Sequence, residues 1–355
     1  MSATSFRSYT GTFLAAAGAI ALAGAAATAA VSSLTPTVES IPYPGGRPPS
    51  AAEVALGRQL FFETRLSSTE TISCATCHKP ERGLADGERV STSGVTGVPL
   101  KRHTPHLYNL AWGKTFFWDG RSTSLEDQAL GPIRNPLEMG LPGDVAADRL
   151  KKVPYYVAAF EHVYPKSGVA MKNVAKALSA FERTLVSNDA PFDRYEAGDK
   201  AAMSTAAVRG RQLFFGRARC STCHSGPNFT DDLFHNTGVI SDDIGRAALD
   251  RVGEFQMRPY PFFQMRQAFK TPSLRNVALT APYQHNGSEA ALADVVRLYN
   301  LGGRDPASYG KALDIRPLNL PDTELADLVA FLEALTSPVS VTAPARVDLT
   351  TRYTP

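Results

Sequence analysis

The chain has 355 residues, 43% of them hydrophobic, which is enough for about two packed domains and excludes a mainly disordered protein. It carries 37 Lys and Arg residues against 34 Asp and Glu residues, a net charge of +3. Because the basic residues form no run, the charge pattern argues against nucleic acid as a partner.

The first thirty residues predict a secretory signal peptide. Arg7 precedes an uncharged, Ala-rich run over 11–30, which ends in the small-x-small pattern Ala27-Thr28-Ala29. A run of this length could also stay as a membrane anchor, but its few Leu and Ile residues favour cleavage. We therefore expect 1–30 to direct export to the periplasm, with no stable membrane insertion after cleavage.

A hexapeptide, GRQLFF, occurs twice in the chain. It stands at 57–62 and again at 210–215, and each copy is followed by a Cys-x-x-Cys-His segment. Such a repeat predicts two copies of one domain. We place the N-terminal domain at 31–195, the C-terminal domain at 196–340 and a tail at 341–355, with the boundary in the polar stretch 189–202.

The two Cys-x-x-Cys-His segments contain all four cysteines. In this pattern two thiols bond the vinyl groups of a haem and the adjacent histidine ligates the iron. A disulfide, a redox Cys-x-x-Cys or half a zinc site are the alternatives, but two copies inside a repeat of an exported chain favour two covalently bound haem c groups. The segments provide Cys74, Cys77 and His78, and Cys220, Cys223 and His224.

Apolar residues at helical spacing predict a mainly α fold. The predicted helices lie at 51–62, 171–186, 204–215 and 289–299, and a last one follows Pro321. No alternating apolar run indicates a sheet, and the 27 Gly and 25 Pro indicate long loops. The predicted architecture is two cytochrome c-like haem domains with long ordered loops.

Further short motifs lie between and after the haem segments. They are FWDGR at 117–121, EDQA at 126–129, GP at 131–132, EMG at 138–140, RNV at 275–277 and TAPYQHNG at 280–287. In order and spacing they resemble the di-haem cytochrome c peroxidase and MauG family, from about residue 57 to 335. The resemblance implies a periplasmic enzyme whose N-terminal haem reacts with hydrogen peroxide and whose second haem stores or relays oxidising equivalents.

Carried over by residue, the resemblance implies four catalytic positions. Trp118 matches a tryptophan between the haems, Gln128 and Glu138 match a polar pair over the reactive iron, and Pro132 matches a pocket proline. Cleavage of the peroxide O–O bond needs a group that takes a proton and returns it, which a desolvated carboxylate such as Glu138 can do. Outside the family pattern, Glu138 would be an ordinary loop acid and Trp118 a core residue.

The ligands of the two irons separate branches of the family. Fourteen residues after His285, where its peroxidases have a methionine ligand of the second haem, this chain has Tyr299. A phenolate stabilises ferric and higher states, whereas methionine raises the potential. Tyrosine resembles the MauG branch, including methanobactin-associated proteins such as MbnH, although Tyr299 could also be an ordinary helix residue. The loop 91–100 lacks the histidine that many of the peroxidases place across the first haem, so we expect that iron to be open or water-bound.

Calcium is a further prediction from the resemblance. Thr280 and Pro282 match two carbonyl ligands of the ion, but His103 stands where the family commonly has an asparagine, which argues against a site of hard oxygen ligands. His285 is expected to make a structural or haem-propionate contact. The remaining histidines are expected to be structural: His106, His162 and His235.

Three functions remain open at this point. The first is a MauG-like enzyme that uses hydrogen peroxide to form a high-valent two-haem state and oxidises aromatic side chains of a partner protein. The second is a peroxidase that reduces hydrogen peroxide to water with electrons from a small cytochrome or cupredoxin. The third is a plain electron-transfer protein. Tyr299 favours the first over the second, and Glu138 with Gln128 argues against the third.

Overall fold

The computed structural model describes residues 34–251, 265–304 and 310–355. The predicted signal peptide at 1–30 lies outside this part of the chain. Within the described residues, no helix has the length and hydrophobicity needed to cross a bilayer.

Short and medium helices joined by long loops make up the first half. Ser50 caps α1 by accepting a hydrogen bond from Glu53 N at 3.1 Å, and Pro154 opens α5, where its missing N–H costs nothing. The helices are α1 Ala51–Phe61, α2 Cys74–Cys77, α3 Leu125–Arg134, α4 Gly143–Lys151, α5 Pro154–Val163 and α6 Met171–Glu182.

The second half repeats this plan with fewer helices. Two short antiparallel strands, β1 Phe234–His235 and β2 Phe269–Lys270, pair Phe234 with Lys270. The helices are α7 Pro191–Glu196, α8 Thr205–Phe215, α9 Leu292–Asn300 and α10 Asp322–Glu333. The predicted mainly α fold is therefore confirmed.

Glycine brings one pair of helices into close contact in each half. A Cβ on Gly57 of α1 would lie 1.8 Å from the carbonyl oxygen of Ala177 on α6. A Cβ on Gly210 of α8 would lie 1.9 Å from the carbonyl oxygen of Asp327 on α10. The GRQLFF repeat thus places equivalent helices on equivalent partners in the two halves. The division into two copies of one domain stays a prediction.

Gly57→Ala and Gly210→Ala are each expected to destabilise the protein by about 1–3 kcal/mol. Alanine is the better helix former by about 1 kcal/mol, so the substitution would be stabilising on an open helix surface. Here the added methyl group would clash with backbone carbonyl groups, which cannot move aside as a flexible side chain can. The melting temperature of the haem-loaded protein measures the effect, with exposed Ala55→Ser on α1 as the control. A melting temperature equal to wild type would contradict the close contact.

Within the described part of the chain, the buried apolar residues form two hydrophobic clusters. The first is built from residues between Leu56 and Leu185, and also includes Val347, which is 4% exposed. The second is built from residues between Phe192 and Leu335. Phe192 lies on α7, a helix that the sequence did not predict inside the polar stretch 189–202.

The C-terminal tail returns to the first cluster. Arg58 Nε donates to the carbonyl of Thr342 at 2.9 Å, and Gln59 Nε2 donates to the carbonyl of Ala345 at 3.1 Å. Arg65 Nη2 donates to the carbonyl of Val347 at 3.0 Å. Residues 342–347 are therefore bound along and beyond α1.

The predicted helix at 289–299 begins three residues later than expected. Glu289 lies in extended backbone and forms an isolated antiparallel bridge with Tyr283. Its carboxylate is 1% exposed and pairs with Arg304 at 2.8 Å. This ion pair, of which only the Glu289 side is buried, holds the residue in the preceding loop, and the first helical turn starts at Leu292.

Candidate active site

One cavity of about 1380 Å³ extends between the two halves of the chain. Typical pockets for one small ligand measure about 300–1,000 Å³, so this cavity has room for more than one group. The structure brings together on its walls every side chain that the sequence nominated. These are Cys74, Cys77, His78, Trp118, Gln128, Pro132, Glu138, Cys220, Cys223, His224, Thr280, Pro282 and Tyr299.

His78 is oriented by its own loop. Its Nδ1 lies 3.0 Å from the carbonyl oxygen of Leu84, which can only accept a hydrogen bond, so Nδ1 carries the proton. Burial lowers the pKa of His78 and keeps the ring neutral. The remaining nitrogen, Nε2, is therefore the one that can ligate a metal, in the arrangement that proteins use for metal-bound histidines.

His224 repeats this arrangement in the second half. Its Nδ1 lies 2.9 Å from the carbonyl oxygen of Phe229, and burial lowers its pKa as well. Burial raises the pKa of Cys74 and of Cys220 to about 12, so these thiols are protonated. The protein therefore has two equivalent sites, each with a thiol pair and a neutral imidazole.

The residues of the cavity fit covalently bound haem. All four cysteines are free thiols, so none is used in a disulfide. Several buried polar atoms on the cavity wall have no hydrogen-bond partner in the protein, among them Gln128 Oε1 and His285 Nε2. Buried polar atoms are normally paired, so these two indicate a bound group or water inside the cavity.

Helix α3 and the turn after it carry the polar pair of the first site. Gln128 and Pro132 lie on α3, and the chain turns at Asn135 so that Glu138 faces the same cavity. Asn135 Nδ2 donates to Glu138 Oε1 at 2.7 Å. Burial raises the pKa of Glu138, while the bond from Asn135 and the charge of Arg121 lower it. The net rise makes Glu138 a stronger base than an exposed carboxylate.

Trp118 is fixed to both halves of the chain. Its Nε1 donates to the carbonyl of His103 at 2.8 Å, and its own carbonyl accepts a hydrogen bond from Lys270 N on β2 at 2.8 Å. The following Asp119 accepts from Arg102 at 2.7 Å and from Arg121 at 3.0 Å. The WDGR motif thus holds an indole ring on the cavity wall where the two halves meet.

Tyr299 lies on α9 and lines the part of the cavity near the second thiol pair. Burial, with the charges of Cys223 and Cys220, raises the pKa of Tyr299 to about 12 against the lowering effect of a hydrogen bond with Gln284. The phenol lines the same cavity as both thiols. Ligation of a metal by Tyr299 stays a prediction.

The residues nominated for calcium lie at the junction of the halves. His103 is 5% exposed, its Nδ1 donates to the carbonyl of Glu88 at 2.9 Å, and its N–H donates to the carbonyl of His285 at 2.7 Å. Thr280 is buried, and its hydroxyl donates to the carbonyl of Val277 at 3.0 Å. Calcium binding by Thr280 and Pro282 stays a prediction.

Two polar groups near the sites were not nominated from the sequence. His235 pairs with Asp231 at 2.8 Å and also bonds Cys223, and together these effects raise its pKa to about 10. Glu182, at the end of α6, is buried on the cavity wall beside Cys74. Alignment of the two halves would have identified Glu182, because the equivalent residue of the second half is apolar.

Known proteins with similar sequences cover most of the chain. The family model of the di-haem cytochrome c peroxidases matches residues 51–201. The methylamine utilization protein MauG of Methylorubrum extorquens is 43% identical over 309 residues, which cover 86% of this chain and 84% of that protein. The cytochrome c peroxidase Ccp of Escherichia coli is 36% identical over 299 residues, which cover 83% of this chain and 60% of that protein.

Two solved structures are similar to this chain as well. The crystal structure of a MauG-like protein associated with microbial copper homeostasis has a TM-score of 0.73 and 33% identity, covering 83% of this chain and 92% of that one. The diheme peroxidase BthA from Burkholderia thailandensis has a TM-score of 0.71 and 25% identity, covering 81% and 86%. The chain is thus similar to proteins described as MauG and to proteins described as peroxidases.

Proposed function

Since the chain belongs to the di-haem cytochrome c peroxidase and MauG family, we propose that it is a periplasmic enzyme that uses hydrogen peroxide to oxidise aromatic side chains of a partner protein. At the level of the family it is a hydrogen-peroxide-dependent oxidoreductase, and the family implies two haem c groups. The observation that carries the finer proposal is Tyr299, which lines the cavity beside the second thiol pair.

The haem groups would be held by the residues already described. Cys74 and Cys77 with His78 would bind one, and Cys220 and Cys223 with His224 and Tyr299 would bind the other. When bound, the two haems supply the iron that reacts with peroxide and holds the oxidising equivalents. The side chains around them bind and orient peroxide and move its protons.

Glu138 is our candidate for the proton transfer. One of its carboxylate oxygens accepts the bond from Asn135, and the raised pKa of Glu138 lets it take a proton from peroxide and give that proton to the leaving oxygen. Gln128 Oε1, which lacks a partner in the protein, is placed to accept a hydrogen bond from peroxide or water. Pro132 and the buried neighbours on α3 keep bulk water out of this corner.

Trp118 is our candidate for electron transfer between the two halves. Its ring is held by a bond to one half while its backbone is held by the other, so its position relative to both is fixed. A fixed aromatic ring between two redox sites is suited to passing electrons without moving. Electrons would finally come from a partner protein at the surface.

The second candidate is a peroxidase that takes electrons from a small cytochrome or cupredoxin. It is favoured by the similarity to cytochrome c peroxidases, including the 36% identity with the Escherichia coli protein. The two functions differ in the oxidation state that reacts. A tyrosine ligand stabilises ferric iron, so a MauG-like enzyme should react with peroxide without prior reduction.

Stopped-flow mixing of the diferric protein with one equivalent of hydrogen peroxide tests the proposal. We expect a fast change in the absorbance of both haems and slow turnover with reduced small cytochrome c. A diferric protein that is inert, together with a half-reduced protein that turns over quickly with the cytochrome, would overturn the MauG-like function in favour of the second candidate.

A further inference from the structure

The two halves differ at one equivalent position on the cavity wall. Helices α6 and α10 occupy equivalent places, as the contacts of Gly57 with Ala177 and of Gly210 with Asp327 indicate. Each helix presents two residues, one turn apart, to the cavity. In α10 these residues are Leu328 and Leu332, whereas in α6 they are Leu178 and Glu182.

The second half therefore demonstrates that the fold accepts leucine at the position of Glu182. Leu332 is buried, and the preceding Phe331 is the equivalent of Phe181. A carboxyl group at this place is costly to bury, because an unpaired buried acid loses its hydration. Glu182 occurs only in the half that also contains Glu138 and Gln128. Because leucine packs at the equivalent position, packing does not explain the acid, and we look for its role in the chemistry of this half.

Among the residues that the structure describes, none forms an ion pair with Glu182. The residue is 5% exposed, and its Oε2 has no hydrogen-bond partner in the protein. The neighbouring Arg183 is bound by Glu126 of α3 through two contacts, at 2.8 and 3.3 Å. The carboxyl group therefore faces the cavity without a compensating cation bonded to it.

Few charged or titratable groups surround Glu182. Burial raises the pKa of Glu182, the charge of Arg183 lowers it and the charge of Glu126 raises it, and the net pKa is about 8. On the cavity side the neighbour is Cys74 of α2, whose pKa Glu182 raises. The residues that α1 and α4 bury against this region are apolar, apart from Gln59: Leu56, Gly57, Leu60 and Phe61 on α1, and Ala146, Ala147 and Leu150 on α4.

We propose that Glu182 couples the redox state of the first haem to a proton. The side chain is neutral while the haem attached at Cys74 is reduced, and it becomes a carboxylate when that haem is oxidised. When a one-electron oxidant such as ferricyanide takes one electron from the haem, one proton leaves Glu182 for water. The negative charge gained by Glu182 then balances the positive charge gained by the haem.

This coupling follows from linkage. A positive charge close to a carboxyl group favours its ionised form, and by reciprocity the ionised form favours the oxidised haem. The inference rests on haem attachment at Cys74, and not on whether the electrons come from a partner protein or from a cytochrome. Its test is therefore a potential rather than an activity.

A redox titration of the haem-loaded protein between pH 6 and pH 10 tests the proposal. In wild type, the potential of the first haem should fall as the pH rises through the pKa of Glu182. At most the redox equilibrium changes tenfold per pH unit, which is about 59 mV for a one-electron couple. Glu182→Gln, which has the same size and no charge, should lose this dependence while the second haem keeps its wild-type profile.

Two further variants use the equivalence of the halves. Glu182→Leu installs the residue of the second half and should behave like Glu182→Gln. Leu332→Glu should introduce a new pH dependence into the potential of the second haem. An unchanged pH dependence of the first haem in Glu182→Gln would overturn the proposal, whatever the effect of that variant on the melting temperature, because another group would then carry the proton.

Discussion

In the Glu138→Gln variant, the reaction of the diferric protein with hydrogen peroxide is expected to be about 10²–10⁴-fold slower than in wild type, the usual contribution of a positioned acid–base group. Glutamine has the same size but cannot accept and return a proton. Its amide oxygen can still accept the 2.7 Å bond that Asn135 donates to Glu138, so the turn after α3 should keep its shape. Stopped-flow absorbance gives the rate.

The pH profile identifies the group that is lost. Protonated Glu138 cannot take a proton from peroxide, so the wild-type rate should fall as the pH falls through the pKa of Glu138. Burial raises that pKa, so the fall should begin at a higher pH than for an exposed glutamate. Glu138→Gln should lack this acid limb.

Exposed Glu161 on α5 provides the control. It lies outside the cavity lining, so Glu161→Gln should retain the wild-type rate and profile. If Glu138→Gln reacts as fast as wild type, Glu138 does not transfer the proton, and the role passes to water or to Gln128. Haem content, measured as two haem masses added to the chain, should be the same in all three proteins.

Tyr299→Phe is expected to abolish the participation of the second haem in the peroxide reaction. Phenylalanine keeps the ring and removes one oxygen, so packing on α9 should change little. The loss is electronic, because the second iron would no longer have a charge-donating oxygen ligand. The resting spectrum and the potential of the second haem should change, while those of the first haem stay as in wild type.

Tyr195→Phe is the matched control in the same half. Tyr195 packs against the second hydrophobic cluster and does not line the cavity. A second haem with wild-type spectrum and potential in Tyr299→Phe would exclude ligation by Tyr299. It would also remove the observation on which the MauG-like function is proposed, leaving the peroxidase as the better account.

The helices were predictable from the sequence where apolar residues recur at regular helical spacing. Apolar residues every three or four positions located α1, α6, α8 and α10 within a few residues of their observed bounds. The prediction failed at Glu289 because a partner fifteen residues away, Arg304, holds it in a loop. An ion pair of this kind leaves no trace in local periodicity.

The chemistry of the sites was only half visible in the sequence. The pattern Cys-x-x-Cys-His names the thiols and the imidazole, but not the carbonyl groups that orient the ring. Those carbonyls belong to Leu84 and Phe229, which both adopt the left-handed region, with φ of 59° and 52°. Neither residue is a glycine, so the sequence did not mark either of them as left-handed.

Glu182 stayed hidden for a different reason. On a helix, a glutamate beside an arginine normally indicates a solvated face, and the sequence gives no sign that Arg183 is bound to Glu126 instead. Only the comparison of α6 with α10 separates the two cases. Comparing equivalent positions of an internal repeat, such as Glu182 and Leu332, thus identifies side chains that the packing of the fold does not require.

The contacts of the tail at 342–347 join residues that lie 282–286 positions apart in the sequence. Val347 fills a place in the first cluster, and α1 binds the backbone of residues 342 and 345. The chain thus leaves the first cluster, forms the second and then returns to the first. The second half is therefore connected to the first on both of its sides in the sequence, and we expect the two halves to unfold together rather than one after the other.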